Sequence, residues 1–313
     1  MSAVTLRFQA PYAVEPLTGA LRAHCVAGLE RHDDGVHTRV VPLPSGPVVV
    51  SVSWTDDGVV VDSDVPVTDS AVLEVIVRRW LDLDADHTAV EAAFGSDELL
   101  APLVAARPGL RVLGSVDGFE TAVLTVLGQQ VSLGAARTFG GRFVSAFGAP
   151  VQGDFLAFPD PDMVAAQSTE GIQKAVGLTT ARAGTVHTLA TAAANGLDLS
   201  WNADPVQFRR ELLALKGIGP WTADYLTVRI LGDRDAFVPD DLVLKRALGV
   251  STAKEATALS ERWRPWRAYA LFHLWTKEAF LSSVSLARGP VRTATKYVSR
   301  CRERVPAPRR CAR

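Results

Sequence analysis

Residues 211–223 read ELLALKGIGPWTA, the pattern of two helices joined by a glycine-rich turn. Its apolar spacing predicts the end of one helix, and a proline suits the first turn of the next helix. Between the helices, Gly217 and Gly219 permit a tight turn that leaves backbone amides uncovered. Such a turn is typical of close helix packing. With Lys216 beside it and the first free helix amides near Thr222, it is also suited to hold a phosphate without reading base sequence.

A second motif, VPDDLVLKR, occupies residues 238–246. Asp240 and Asp241 precede an apolar stretch that predicts a helix. Carboxylates at a helix start are commonly caps, so capping is the first interpretation of both residues when the motif is taken alone.

These two motifs resemble the DNA-3-methyladenine glycosylase II (AlkA-type) family of helix-hairpin-helix DNA glycosylases. Two further stretches carry the resemblance: AARPGLRVLGSVDGFETAVLTVLGQQVS at 105–132 and ERWRPWRAYALFHLW at 261–275. The resemblance implies an enzyme that flips alkylated bases, such as 3-methyladenine and 7-methylguanine, out of double-stranded DNA and hydrolyses their N-glycosidic bonds. No cofactor is expected for this catalysis.

The family pattern assigns the catalytic role to Asp241, because Leu244 and Lys245 stand three and four residues after it. Asp240 is then expected to cap the helix or orient its neighbour. A carboxylate anion suits the reaction because the breaking bond develops positive charge on the sugar. Direct charge stabilisation and deprotonation of the attacking water both remain open at this point.

The resemblance also implies a substrate pocket formed by Trp221, Tyr225, Trp275 and Leu242. Trp221 and Tyr225 are four residues apart and share one helix face. Electron-rich rings attract a cationic alkylated base, although aromatic residues at helical spacing are more often core. Leu242 stands where an aromatic residue can line the family pocket. Trp221 stands where strand-cutting relatives have a lysine, so we expect no strand cleavage.

The residues expected to contact DNA are Gln130, Lys216, Gly217, Gly219, Thr222 and Lys245. Gln130 replaces the leucine that fills the vacated base stack in the best-known family pattern, and an ordinary exposed helix residue is the alternative interpretation. Family hairpins can hold one structural Na+ or K+ on backbone carbonyls, here those of Leu213, Leu215 and Ile218.

Alternating apolar residues in 1–67 predict a small antiparallel sheet with one helix, and Asp57-Gly58 indicates a hairpin within it. From residue 68 to 281 the period becomes helical and no convincing strand returns. We therefore predict an α+β protein: a small sheet-plus-helix N-terminal domain (1–67), a two-lobed all-α helix-hairpin-helix body (68–281), and a disordered tail (282–313).

Charge is distributed unevenly along the chain. The chain has 33 Lys and Arg residues and 34 Asp and Glu residues, of which the tail holds nine basic residues and one acidic residue. Residues 1–281 therefore hold 24 basic and 33 acidic residues, a net charge of −9. DNA would therefore meet a local basic stripe formed by Lys216, Lys245 and Arg246. The three cysteines are too few and too scattered for an iron-sulfur cluster or a zinc site.

The sequence shows no signal peptide and no run of 18 apolar residues, so a cytoplasmic protein that does not enter membranes is expected. A monomer is the default for an enzyme that binds bent DNA. Two alternatives remain: a glycosylase for deaminated or mismatched bases, and a noncatalytic helix-hairpin-helix DNA-binding module. Glycosylases for deaminated or mismatched bases often carry a cysteine-ligated cluster. A noncatalytic DNA-binding module needs neither the PDD motif nor an aromatic pocket.

Overall fold

The computed structural model describes residues 2–287, with side chains from 3 to 278. The predicted disorder of the tail falls mostly on residues 288–313, which lie outside the described residues. Residues 282–287 are helical, so the tail predicted from 282 begins too early. Within the described part of the chain, no helix is long and apolar enough to cross a membrane.

The N-terminal region forms a five-stranded antiparallel sheet with the strand order β1-β5-β4-β3-β2. Its strands are β1 (Ser2–Arg7), β2 (Glu30–Asp33), β3 (Val36–Val41), β4 (Val48–Trp54) and β5 (Gly58–Ser63). Apolar residues of β1, β3, β4 and β5 face a common core, and helix α1 (Val14–His24) covers it with buried Leu17 and Leu21. The predicted α+β class and the antiparallel sheet are confirmed.

The turn predicted at Asp57-Gly58 joins β4 to β5, where the Thr55 amide donates to the Gly58 carbonyl at 2.9 Å. A Cβ on Gly58 would lie 2.8 Å from the backbone oxygen of Leu6, so the close approach of β1 requires glycine. Strand β2 was not predicted, because its sequence ERHD is polar. Its turn, Asp34-Gly35, has two residues of positive φ, as a two-residue hairpin needs.

The body consists mainly of helices, as predicted. They are α2 (Ser70–Trp80), α3 (His87–Phe94), α4 (Ala101–Ala106), α5 (Gly118–Gly128), α6 (Leu133–Phe147), α7 (Pro161–Ala165), α8 (Thr169–Val176), α9 (Thr180–Ala194), α10 (Pro205–Ala214), α11 (Pro220–Leu226), α12 (Leu242–Leu248), α13 (Ala253–Ser260) and α14 (Arg267–Ala287). A single π turn, Thr227–Leu231, extends α11.

Two hydrophobic clusters give the body its two lobes. One lies among α5 to α11, and the other joins α3 and α4 to α12, α13 and α14. Tyr225 packs against both clusters and therefore marks the junction of the lobes. The division of the chain at residue 67 stays a prediction; α2 contributes Leu73, Val77 and Trp80 to the core of the N-terminal sheet.

Three stretches of the body, 87–106, 117–147 and 160–176, each contain two consecutive helices. Two of the second helices begin where a side chain caps them: Ser132 accepts the Ala135 amide at α6, and Ser168 accepts the Gly171 amide at α8. The body also contains a short hairpin that was not predicted, β6 (Ala149–Gln152) with β7 (Phe155–Ala157). Strands of four and three residues are too short to show a periodic pattern.

A buried ion pair fastens the sheet to the body. The Arg39 Nη2 group on β3 lies 2.7 Å from both carboxylate oxygens of Glu120 on α5, and both residues are at most 5% exposed. Burial raises the pKa of Glu120 to about 7, against the attraction of Arg39.

Candidate active site

Asp241 is the N-cap of α12, and its Oδ1 accepts the Leu244 amide at 2.8 Å. The residue is 9% exposed. Asp240 does not cap this helix: it is exposed, and its carboxylate faces Lys245 with an Nζ–Oδ1 distance of 3.7 Å. The capping expected for Asp240 is therefore wrong, because the chain places its neighbour at the cap position.

Two tryptophan side chains hold the same carboxylate. The Trp221 Nε1 group donates to Asp241 Oδ2, and the Trp275 Nε1 group donates to Asp241 Oδ1, each at 3.0 Å. The carboxylate therefore accepts three N–H hydrogen bonds from three different helices. Such donors stabilise a carboxylate charge that is almost removed from water, and they fix its orientation before any ligand arrives.

The aromatic side chains around Asp241 form one continuous wall. The Trp221 and Tyr225 rings stack, with centroids 5.1 Å apart and an interplanar angle of 7°. The ring centroids of Tyr225 and Trp275 are 6.1 Å apart, and those of Trp275 and Phe272 are 5.5 Å apart. The predicted pocket aromatics are thus brought together beside the carboxylate. Their role in stacking a flipped base stays a prediction.

The sequence analysis did not identify two residues that lie beside these aromatic side chains. Phe272 lies three residues before Trp275 on α14, a spacing that places both on one helix face. Arg229 lies four residues after Tyr225; its Nη1 donates to the Tyr225 hydroxyl at 2.6 Å and its Nη2 to the Gly114 carbonyl at 3.2 Å. Leu242, predicted to line the pocket, directly follows Asp241 and is 73% exposed, and its part in the pocket stays a prediction.

The predicted hairpin is present between α10 and α11. Gly217 has φ +93°, and a Cβ there would lie 2.0 Å from Thr185 Oγ1, so only glycine fits this turn. Gly219 is the N-cap of α11, and a Cβ on it would meet nothing within 4 Å. Lys216 is exposed beside the turn. The hairpin therefore presents backbone and one cation to solvent, as phosphate binding requires.

Other residues predicted to contact DNA are placed differently. Thr222 is 3% exposed, and its hydroxyl accepts a hydrogen bond from the Gln129 side chain. The phosphate contact expected of the helix amides near Thr222 does not involve this side chain and stays a prediction. Lys245 is half-buried beside Asp240, whereas Arg246 of the predicted basic stripe is exposed. Gln130 is exposed at the tip of the loop between α5 and α6, with φ +54°. Its contact with DNA stays a prediction.

Of the carbonyls expected to hold a monovalent cation, that of Leu213 lies in the last turn of α10, and those of Leu215 and Ile218 lie in the loop between α10 and α11. The Leu215 carbonyl accepts the Ile218 amide at 3.1 Å, which leaves its second lone pair for another partner. Backbone oxygens without a carboxylate suit Na+ or K+ better than a divalent ion. Among residues 2–287, no group of three or more His, Cys, Asp or Glu side chains could hold a metal ion.

Comparison with known families and sequences gives a consistent result. The AlkA N-terminal domain model matches residues 3–117. The chain is 33% identical over 286 residues to "DNA-3-methyladenine glycosylase 2" of Escherichia coli, which covers 88% of this chain and 98% of that protein. It is 40% identical over 284 residues to "Probable bifunctional transcriptional activator/DNA repair enzyme AlkA" of Mycobacterium tuberculosis. That match covers 87% of this chain but 57% of the relative, so the chain spans little more than half of that protein's length.

Solved structures share the fold. The "3-methyladenine dna-glycosylase from Archaeoglobus fulgidus" superposes with a TM-score of 0.78 at 22% identity, over 90% of this chain and 99% of that chain. A structure of MBOgg1 in complex with a DNA ligand superposes with a TM-score of 0.74 at 20% identity, over 90% of this chain and 97% of that chain. These likenesses confirm the mostly helical body with its N-terminal sheet.

Proposed function

The chain belongs to the AlkA family of DNA glycosylases, and from that premise we propose that it hydrolyses the N-glycosidic bond of alkylated bases in double-stranded DNA. The observation that carries the proposal is the carboxylate of Asp241, held by the indole N–H groups of Trp221 and Trp275 beside an aromatic wall. A DNA-binding module needs no such buried anion.

The chemistry follows from the positive charges of the sugar in the transition state and of the alkylated base. As the glycosidic bond breaks, the sugar gains oxocarbenium character, and a fixed anion near it lowers the energy of the transition state. An alkylated purine is already cationic and leaves readily. Its positive charge is attracted to the faces of Trp221, Tyr225 and Trp275 more than a neutral base would be.

The hydrogen bonds favour one of the two roles that the sequence left open for Asp241. A carboxylate offers about four lone-pair positions, and here three are taken by N–H donors. Each donor occupies a position at which the carboxylate could otherwise accept a hydrogen bond from a water molecule. We therefore propose that Asp241 stabilises the sugar cation directly and does not deprotonate water.

The product is proposed to be an intact abasic site. A glycosylase that cuts the strand uses an amine to form a Schiff base with the sugar. The hairpin helix instead has Trp221, whose N–H is committed to Asp241. Incubation with abasic or methylated DNA and borohydride is expected to trap no covalent adduct; a trapped adduct would refute this part of the proposal.

The decisive experiment measures free bases released from methylated duplex DNA by the wild type and by Asp241→Asn. Wild type is expected to release 3-methyladenine and 7-methylguanine, and the variant to lose at least about 100-fold of the rate. Asp86→Asn is the matched control, because Asp86 is also a helix N-cap, that of α3. No release from any methylated duplex, or equal loss in both variants, would contradict the proposal.

Two further properties belong to the same proposal. A monomer is proposed to bind DNA, since the hairpin, the aromatic wall and Asp241 all lie in one chain; sedimentation of the complex tests this. The carbonyls of Leu213, Leu215 and Ile218 are proposed to hold Na+ or K+, which would stiffen the hairpin without taking part in catalysis. Replacing Na+ and K+ in the buffer by a bulky organic cation at equal ionic strength is expected to weaken DNA binding.

A further inference from the structure

The loop between α5 and α6 has an uncommon backbone conformation at its exposed tip. Gln130 has φ +54°, in the left-handed region that a residue with a Cβ rarely adopts. The preceding residue, Gln129, has ordinary extended geometry with φ −58° and ψ 129°. A disfavoured conformation persists only where neighbouring contacts impose it, and here those contacts belong to Gln129.

The side chain of Gln129 is bound to the hairpin. Its Nε2 group donates to the Gly217 carbonyl at 3.3 Å and to Thr222 Oγ1 at 3.0 Å. One amide thus joins the turn of the hairpin to the first turn of α11. Both acceptors are rigidly placed, because Thr222 is buried and Gly217 lies against Thr185 on α9.

The backbone of Gln129 is held from another direction. The Arg182 Nη2 group on α9 donates to the Gln129 carbonyl at 2.5 Å. The same guanidinium lies 5.7 Å from the ring centroid of Phe139 on α6. With its side chain fixed by the hairpin and its carbonyl fixed by Arg182, the peptide that leads from Gln129 to Gln130 has a defined orientation.

We propose that Gln129 is a positioning residue: it couples the binding of a DNA phosphate by the hairpin to the insertion of the Gln130 side chain into the duplex. This inference rests on the proposed function. A residue that fills the space of a flipped base is effective when it is held rigidly before binding, because no further ordering is then required. Gln129 makes the hairpin and the loop tip one unit, so it assists base flipping and not bond cleavage.

The test separates flipping from cleavage. Gln129→Met keeps the length of the side chain and removes both donors. Single-turnover excision of 7-methylguanine is measured from one oligonucleotide, both as a duplex and as a single strand. The duplex rate is expected to fall about 10-fold or more, and the single-strand rate to change less than about 2-fold. Gln207→Ala, an exposed glutamine on α10 whose amide donates to Glu211, is the matched control.

An equal fall on both substrates, or no fall on the duplex, would overturn the inference. If wild type releases no base at all, the proposed function fails, and unstacking still decides the question about Gln129. Fluorescence of 2-aminopurine beside the lesion reports unstacking without excision. Gln129→Met must then lower the fluorescence rise that wild type produces; an unchanged rise would refute the coupling.

A double-mutant cycle tests the contact itself. Thr222→Val removes one acceptor of Gln129, and thermal unfolding checks that each variant is folded. If the hydrogen bond transmits the coupling, the double variant is expected to excise from duplex no more than about 2-fold slower than the slower single variant. Multiplicative losses would show that the two side chains act independently, which contradicts the proposal.

Discussion

The indole Nε1 of Trp275 lies 3.0 Å from Oδ1 of Asp241, so α14 contacts the carboxylate at the start of α12 across 34 residues of chain. The same oxygen accepts the Leu244 amide at 2.8 Å. An aromatic residue that the sequence assigns to base stacking therefore also holds the proposed catalytic anion. Its ring and its N–H group have separate functions that mutation can distinguish.

Trp275→Phe is expected to lower the single-turnover excision rate about 10- to 100-fold with little change in DNA affinity. The variant keeps an aromatic face and removes a hydrogen bond to a charged group, which contributes about 1.5–3 kcal/mol. Trp263→Phe is the control, because the Trp263 Nε1 group donates to another carboxylate, that of Asp97, at 2.7 Å. That variant should lose stability without a specific loss of excision. An unchanged rate in Trp275→Phe would show that its N–H group is unimportant.

The hairpin glycines give a second prediction, measured by chemical denaturation and DNA binding. Gly217→Ala should lose at least about 1–2 kcal/mol of stability, because φ +93° is left-handed and the new Cβ meets Thr185. Gly219→Ala should fold normally, since its Cβ meets nothing within 4 Å, but should bind DNA more weakly because that open space is where a phosphate would approach. Equal behaviour of the two variants would contradict the phosphate-binding interpretation.

The sequence predicts the parts of this site that depend on local chemistry. The Gly217 turn, the proline at the start of α11 and the carboxylate before α12 are each encoded in a few adjacent residues. The contacts that organise the site join distant residues: Trp221 and Trp275 meet Asp241, and Gln129 meets the hairpin 88 and 93 positions away. No periodicity or propensity encodes such pairs, so the sequence alone does not predict them.

The buried pair between Arg39 and Glu120 gives a third prediction. Arg39→Met leaves a buried carboxylate without its cation and should cost about 3–5 kcal/mol of stability in denaturant unfolding. The double variant Arg39→Met/Glu120→Met should recover only part of that loss: two apolar side chains can pack where two charges did, but Glu30, whose carboxylate lies 3.6 Å from the Arg39 guanidinium, still loses that cation. If the double variant is as unstable as the single one, the charge of Glu120 does not explain the loss.

Two buried histidines predict how stability depends on pH. Burial lowers the pKa of His273 to about 3 and that of His87 to about 4. Nδ1 of His273 and Nε2 of His87 are buried without hydrogen-bond partners, so a proton there would carry an uncompensated charge. The unfolded chain, with histidine pKa near 6.5, binds more protons than the folded chain below that pH.

The free energy of unfolding is therefore expected to fall as pH falls from 6.5 towards 4, with both histidines contributing, and to fall further towards pH 3 through His273. Each histidine adds a slope of at most about 1.4 kcal/mol per pH unit. His273→Leu removes one titrating group without adding charge, so its stability should fall less steeply than that of wild type over this range. Denaturation curves at several pH values measure the two slopes. Equal slopes would mean that His273 takes up its proton without unfolding, which its apolar contact with Phe94 argues against.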